Sequence, residues 1–152
     1  MSFAYRLNRR MEFVRREGVE QLLKYYKFSY NLNASHSFNY EKEESHSHSF
    51  AIVLYIEIKD GRQFLSFDQV ENIMNQHIEP LRGTYLNELP MFQNVVPTIE
   101  NIGGYLFDEL TNCIPEEFEL IQLEISETPL RIYSISNRLI LPGITQMRNK
   151  EA

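Results

Sequence analysis

The sequence predicts an α+β domain whose elements follow in the order helix, strand, strand, helix, helix, strand, strand. Two segments in the first half alternate apolar and polar residues with the period of a β-strand, and two segments in the middle carry apolar residues at helical spacing. Alternation returns after residue 117. Strands and helices that are grouped in runs are typical of α+β architectures.

Composition and charge narrow the function classes. The chain has 152 residues, of which 43% are hydrophobic and 24% charged, which is enough for one domain with a real core. The net charge is −6, and the acidic body disfavours nucleic-acid binding. No apolar run approaches the ~20 residues of a membrane span. We therefore expect a cytoplasmic protein that binds neither nucleic acid nor membranes.

The N-terminal segment differs from the rest. Residues 1–27 carry seven Lys and Arg against three Glu, and their apolar residues predict a basic amphipathic helical extension. Docking on the acidic body or on a neighbouring subunit is the favoured interpretation, and attachment to nucleic acid or a membrane is the alternative. The domain itself is predicted over residues 28–136, followed by a tail, 137–152, without a predicted structure.

The first two strands are predicted over about residues 28–38 and 48–59. Each keeps its apolar residues on one parity, and the second ends at the turn signal Asp60-Gly61. The residues of common parity are Phe28, Tyr30, Leu32, Ala34, His36 and Phe38 in the first strand, and His48, Phe50, Ile52, Leu54, Ile56 and Ile58 in the second.

Both central helices begin at a capping residue. Ser66 opens the first with a Ser66-x-x-Gln69 capping box, and Thr98 caps the second directly after Pro97. The predicted buried faces are Phe67, Val70, Ile73, Met74, Ile78 and Leu81 in the first helix, and Ile99, Ile102, Leu106, Leu110 and Cys113 in the second. On this pattern Cys113, the one cysteine, is a core residue. Two further strands follow, over Phe118–Glu127 and 131–136.

Three of the four histidines are predicted to face one space. His46 and His48 share the parity of the apolar face of the second strand, and His36 shares that of the first. Three neutral imidazoles with an open fourth position are a common first shell of catalytic zinc. The alternative is a polar Ser/His loop, with His36 a hydrogen-bonded core histidine.

Glu127 is the second candidate site residue. It ends the apolar face of the third strand, where Ile121, Leu123 and Ile125 share its parity. A strand-end Glu usually turns to solvent. Alternatively, its carboxylate accepts two parallel N–H bonds from an amidine-like edge, such as that of a 2-amino-4-oxo pyrimidine or pterin.

Six short motifs, in one order, resemble those of the 6-pyruvoyl-tetrahydropterin synthase / 6-carboxytetrahydropterin synthase family. The resemblance covers roughly residues 28–136. Its motifs are Asn33-Ala34-Ser35-His36-Ser37-Phe38, Ser45-His46-Ser47-His48-Ser49-Phe50, Phe64-Leu65-Ser66-Phe67, Tyr85-Leu86-Asn87, Pro97-Thr98-Ile99-Glu100-Asn101 and Ser126-Glu127-Thr128.

The resemblance implies the tunnelling fold, a four-stranded antiparallel sheet with two helices between its second and third strands. It also implies a homo-oligomer, commonly a hexamer of two trimers, with sites between subunits. A lyase-type reaction on 7,8-dihydroneopterin triphosphate or a related dihydropterin follows, as in queuosine or folate precursor synthesis. Carried over by motif, the zinc ligands are His36, His46 and His48, the pterin anchor is Glu127, and the residues near the pterin are Thr98 and Glu100.

The sequence departs from this family at the positions of the residues that transfer protons. Lys42 stands where a cysteine is usual, and Arg82 and Gly83 stand where an Asp-His pair precedes the Tyr-Leu-Asn motif. Glycine has no side chain and arginine stays protonated, so neither replaces that pair. A family variant that uses glutamate instead of the cysteine suggests Glu43, or Glu41, as the base.

Two hypotheses remain open at this point. The first is a zinc-dependent 6-carboxytetrahydropterin synthase-like lyase with Glu43 as its catalytic base. The second is a catalytically inactive zinc- and pterin-binding or assembly protein on the same scaffold. For the acidic run Glu41–Glu44, a solvated loop is the favoured alternative to a catalytic role.

Overall fold

A computed structural model describes residues 23–59 and 67–138. Residues Tyr25–Arg138 form one compact unit. Most of the predicted N-terminal helix, the turn at Asp60-Gly61, the cap at Ser66 and the tail beyond residue 138 lie outside the described residues, and these stay predictions.

Four strands form one antiparallel sheet in the order β1-β2-β3-β4, and the two helices lie between β2 and β3 in the chain. This confirms the α+β class and the predicted topology. The elements are β1 Tyr26–His36, β2 His46–Ile58, α1 Phe67–Ile78, α2 Ile99–Cys113, β3 Phe118–Thr128 and β4 Arg131–Ser136.

The core lies between the two helices and one face of the sheet. Leu32 pairs opposite Phe50, and Ile52 pairs opposite Ile125, so the fully buried apolar residues of neighbouring strands stand side by side. The helices cover them with one buried stripe each, made of Val70, Met74 and Ile78 in α1 and of Ile102, Leu106 and Leu110 in α2. Each large side chain buried in this way contributes about 1.5–3 kcal/mol.

Helix α2 approaches the sheet closely at Gly103. A Cβ atom built at this position would lie 2.9 Å from Cγ2 of Ile125 and 3.2 Å from a ring carbon of Tyr133. The first distance is shorter than real Cβ contacts and the second is unusually tight, so glycine permits the helix to lie this close to β3 and β4.

The structure corrects two predicted core residues. Cys113 is exposed, because it is the last residue of α2 and the buried stripe ends at Leu110, one turn earlier. Phe67 is 48% exposed, because it is the first residue of α1 and contacts the rings of Tyr26 and Phe28 at the border of the core.

Several strand boundaries also differ from the predictions. β1 runs over Tyr26–His36 instead of 28–38, and β2 begins at His46 instead of residue 48, because the register pairs Tyr26 with Ile56 and His36 with His46. The interpretation of His46 and His48 as loop residues is therefore wrong. Among residues 23–59 and 67–138, no helix is long and apolar enough to cross a membrane.

Candidate metal centre

His36 is the most constrained side chain of the candidate site. It ends β1, it is fully buried, and its Nδ1 lies 2.7 Å from the carbonyl oxygen of Pro97. A carbonyl can only accept, so Nδ1 carries the hydrogen and donates it. In the neutral ring the other nitrogen, Nε2, therefore carries a free lone pair. This Nε2 is buried and has no hydrogen-bond partner within residues 23–59 and 67–138.

Two further ligand groups converge on this nitrogen. His48 lies beside His36 with 5.1 Å between ring centroids, and an oxygen of Glu127 lies 3.6 Å from Nε2 of His36. One ligand atom from each of the three residues lies within 4.8 Å of the other two. A lone pair and a carboxylate cannot hydrogen-bond each other, so a cation would relieve their repulsion. Two imidazoles and a carboxylate suit zinc.

The electrostatics keep His36 in the form that binds metal. Burial lowers its pKa below the ordinary value of 6.5, and His48 and His46 add to this effect. The hydrogen bond to Pro97 and the charge of Glu127 act in the opposite direction. Glu127 would form an ion pair with a protonated His36, but we take burial as decisive because it is the largest effect. The free lone pair is thus available near neutral pH.

His46 is placed differently from the other two histidines. It is exposed, at the first position of β2, and its ring centroid is 6.4 Å from that of His48. It lies opposite His36 in the strand register but outside the group of three converging ligand atoms. The structure thus brings together two of the three predicted histidines, and Glu127 joins them.

The strand register explains why Glu127 reaches this site. Ile52 of β2 pairs with Ile125 of β3, so residue 127 continues the same face toward His48. β3 extends to Thr128, and the Glu127 side chain is only 16% exposed. Glu127 therefore does not have the solvent-facing position that is common for a strand-end glutamate.

The segment before α2 holds His36 from the other side. The Thr98 hydroxyl accepts a hydrogen bond from the backbone N–H of Asn101 at 3.3 Å, which confirms the predicted helix cap. The Asn101 side chain donates to the carbonyl of Val96 at 2.8 Å. These bonds fix the chain on both sides of Pro97, whose carbonyl binds His36. The sequence did not reveal this role of Pro97, because the only local signal was a proline before a cap.

Thr98 and Glu100 were predicted near the pterin. Thr98 is half-buried and lies one residue from the carbonyl that binds His36, whereas Glu100 is exposed in the first turn of α2. Their predicted contacts with a pterin stay predictions.

The predicted base lies in a short turn between β1 and β2. Glu43 is exposed in the 3₁₀ turn Lys42–Glu44, outside the group of converging ligand atoms. Its neighbour Lys42 forms an ion pair with Glu88, 2.9 Å between Nζ and Oε1.

The two residues at the expected Asp-His positions have structural contacts instead. Arg82 pairs with Glu79 at 2.9 Å and donates to the carbonyl of Asn31 at 3.2 Å. Gly83 has a φ of +69°, a conformation that favours glycine, and its N–H donates to the carbonyl of Asn33. This stretch therefore turns the chain onto the edge of β1.

The comparison with protein families decides the classification. The model of the 6-pyruvoyl tetrahydropterin synthase family matches residues 25–138. The chain belongs to this family. The match covers the whole described sheet and both helices, in agreement with the resemblance predicted from the motifs.

Several solved structures share the fold at low sequence identity. The 6-pyruvoyl tetrahydropterin synthase of Caenorhabditis elegans aligns with a TM-score of 0.62 at 18% identity, over 76% of this chain and 96% of that chain. An uncharacterised protein from Wolinella succinogenes gives a TM-score of 0.61 at 14% identity, over 78% of this chain and 100% of that chain.

A third structure carries a substitution at a catalytic residue. It is a Plasmodium vivax 6-pyruvoyltetrahydropterin synthase with alanine in place of a catalytic glutamate. It has a TM-score of 0.52 at 12% identity, over 77% of this chain and 100% of that chain. No curated protein sequence matches the chain. With identities this low, the chain is a divergent member of the family.

Proposed function

We propose that the protein binds Zn²⁺ through His36 and His48 and acts on 7,8-dihydroneopterin triphosphate or a related dihydropterin. The observation that supports this most strongly is the buried, unpartnered Nε2 of His36, with ligand atoms of His48 and Glu127 within 4.8 Å of it and of each other. When bound, zinc would supply a Lewis acid that polarises a substrate oxygen.

Two residues are candidates for the third zinc ligand. Family resemblance assigns His46, whereas the geometry favours Glu127. Because His46 is exposed at a strand end, its side chain is free to turn toward His48. If His46 is the ligand, Glu127 remains available to accept two N–H bonds from the amino-pyrimidine edge of a pterin.

Zinc analysis of single variants separates these ligand sets. We expect His36→Ala and His48→Ala to lose the zinc that the wild type retains. Loss in His46→Ala but not in Glu127→Gln would assign His46 as the third ligand, and the reverse result would assign Glu127. Less than about half an equivalent of zinc in the unstripped wild type would contradict the proposal.

We propose a lyase-type activity with Glu43 as the base. A catalytic glutamate in the Plasmodium vivax protein supports a glutamate in this role. The exposure of Glu43 leaves it free to approach a substrate from the turn between β1 and β2. Its task would be to remove a proton from the substrate carbon next to the polarised oxygen.

A second function is a zinc- and pterin-binding or assembly protein without catalysis. The structural contacts of Arg82 and the turn conformation of Gly83 favour it, because these residues occupy the expected proton-transfer positions. The assay is incubation of the zinc-loaded protein with dihydroneopterin triphosphate, followed by mass analysis of the pterins. A new pterin supports the enzyme, and its persistence in Glu43→Gln would remove Glu43 as the base. Tight pterin binding without product, lost in Glu127→Ala, supports the second function.

We further propose that the protein is a homo-oligomer, with the hexamer of the family resemblance as the expected size. Leu130, 93% exposed, directly precedes the edge strand β4, and Ile132, 59% exposed, is its second residue; both support a contact with another copy. Sedimentation analysis of the wild type tests this proposal.

A further inference from the structure

The segment Gly83–Asn87 covers the outer edge of β1 up to the metal ligand. The N–H of Gly83 donates to the carbonyl of Asn33 at 2.7 Å, and the N–H of Ser35 donates to the carbonyl of Thr84 at 2.9 Å. Ser35 and Tyr85 form an isolated parallel bridge. The edge is therefore paired until one residue before His36.

Asn87 continues this pairing on the far side of His36. Its Oδ1 accepts from the N–H of Ser37 at 2.9 Å, and its Nδ2 donates to the carbonyl of Ser37 at 2.8 Å. One side-chain amide thus satisfies both backbone groups of the residue that follows His36, as a partner strand would. Ser37 and Asn87 are 1% and 5% exposed, so water is a poor substitute for either bond.

We call the segment Gly83–Asn87, with its bonds to β1 and Ser37, the clamp. Two neighbours of Asn87 strengthen it. The hydroxyl of Tyr85 lies 2.5 Å from Oγ of Ser37, which ties the side chain of Ser37 to the same segment. Leu86, between them, is fully buried in the core and anchors the 3₁₀ turn Leu86–Glu88.

The clamp matters because His36 is the last residue of its strand. Strand ends fray unless both sides of the backbone are held, and Phe38, two residues on, is 61% exposed. The ring of His36 must nevertheless keep its bond to Pro97 and direct Nε2 toward Glu127. Small rotations of the backbone at residue 36 would move both nitrogens.

We propose that Asn87 is a positioning residue for metal binding. It fixes the backbone at Ser37, and thereby sets the direction of the His36 ring. The inference depends on the proposed function for its metal, but the orientation of His36 is a property of the metal-free protein. Groups that hold a metal-binding histidine typically affect metal affinity by about 10–100-fold.

The test is a titration with Co²⁺ of the metal-free wild type, Asn87→Ala, Asn87→Asp and Tyr85→Phe. We expect Asn87→Ala to weaken binding by about 10–100-fold and to change the visible spectrum of the bound cobalt. Asn87→Asp keeps the acceptor for the N–H of Ser37 and should lose less affinity for Co²⁺ than Asn87→Ala. Tyr85→Phe should lose the least affinity. If Asn87→Ala does not fold, the other two variants carry the test.

A control variant separates positioning from general stability. Val70→Ala removes buried methyl groups from α1 without changing the contacts of Gly83–Asn87, and it should bind Co²⁺ within about twofold of wild type at a comparable loss of melting temperature. Equal weakening in Val70→Ala would overturn the inference, as would unchanged affinity and spectrum in the Asn87 variants.

Long-range ¹H–¹⁵N spectra of the metal-free protein provide a readout that needs no metal. Wild-type His36 should show a hydrogen on Nδ1, protected by its bond to Pro97, and Asn87→Ala should lose this protection. If the wild type binds no Co²⁺, the proposed metal function fails, and the spectra alone then decide the role of Asn87. If the Nδ1 hydrogen of His36 is equally protected in the Asn87 variants, the inference that Asn87 positions His36 is overturned.

Discussion

Two buried polar atoms on β1 lack a hydrogen-bond partner among the described residues, Nε2 of His36 and the hydroxyl of Tyr30. Both lie on the same parity of one strand, but their surroundings differ. Ligand atoms of His48 and Glu127 converge on His36. Tyr30 lines an open cleft between β1 and α1 whose other residues are Lys27, Phe28, Ser29, Glu71 and Asn75.

The two atoms also differ in their protonation states. Burial, with a contribution from the charge of Glu71, raises the pKa of Tyr30 to about 12, so its oxygen keeps its hydrogen near neutral pH. Burial lowers the pKa of His36, so its nitrogen keeps a free lone pair. An unpartnered buried atom thus indicates a metal site only where its charge state and its neighbours both suit a cation.

The largest effect should come from zinc on thermal stability. Zinc at 1,000 times its dissociation constant stabilises the folded state by about 4 kcal/mol, which for a domain of this size raises the melting temperature by roughly 10–15 °C. We expect this shift in wild type and in Tyr30→Phe but not in His48→Ala, measured by differential scanning fluorimetry of metal-free protein. A shift that survives in His48→Ala would place the zinc elsewhere.

An intermediate effect is expected from pH on the metal-free protein. Because the pKa of folded His36 lies below 6.5, the unfolded chain binds a proton at a pH where the folded chain does not. The contribution of His36 to the free energy of unfolding should therefore be constant above pH 6.5 and fall as the pH drops through the folded pKa. The slope of this fall is at most about 1.4 kcal/mol per pH unit for one residue.

Urea unfolding between pH 5 and 7.5 measures this slope, with His36→Gln as the reference because its side chain does not titrate. We expect a shallower decline in His36→Gln than in the wild type. Identical slopes in the two proteins would mean that burial does not control the protonation of His36.

The smallest effect concerns the Tyr30 hydroxyl. Its removal in Tyr30→Phe should raise the free energy of unfolding by about 1 kcal/mol, since a buried group without a partner is lost at no cost in hydrogen bonds. Tyr40→Phe is the matched control, because the Tyr40 hydroxyl donates to the carbonyl of Phe92 at 3.1 Å and its loss should destabilise. Chemical denaturation of both variants checks the opposite signs, and a destabilised Tyr30→Phe would reveal an unseen partner.

Much of the fold could be predicted because its signals are local. Alternation fixed which residues of β1 and β2 face the core, and the cap at Thr98 located the start of α2. Family motifs then supplied the order of the strands and pointed to His36, His46 and His48. The error at Cys113 arose because helical periodicity shows which face is buried but not where the partner surface ends.

The composition of the site was less predictable because it depends on register between distant segments. Whether His46 or Glu127 joins His36 depends on how β3 aligns with β2, which parity alone does not specify. The clamp by Asn87 joins residues that lie fifty positions apart in the chain, and no local pattern distinguishes it from an ordinary turn.

The sequence by itself therefore determined the elements, the apolar faces and the family, and it pointed to three candidate histidines, because each of these is encoded within a few neighbouring residues or in the order of short motifs. Only the tertiary structure decided that the lone pair of His36 is free, that a carboxylate faces it, and that the carbonyl of Pro97 binds the other ring nitrogen while Asn87 binds the backbone of the next residue, Ser37. These features depend on chain segments that meet only when the sheet and helix α2 have packed.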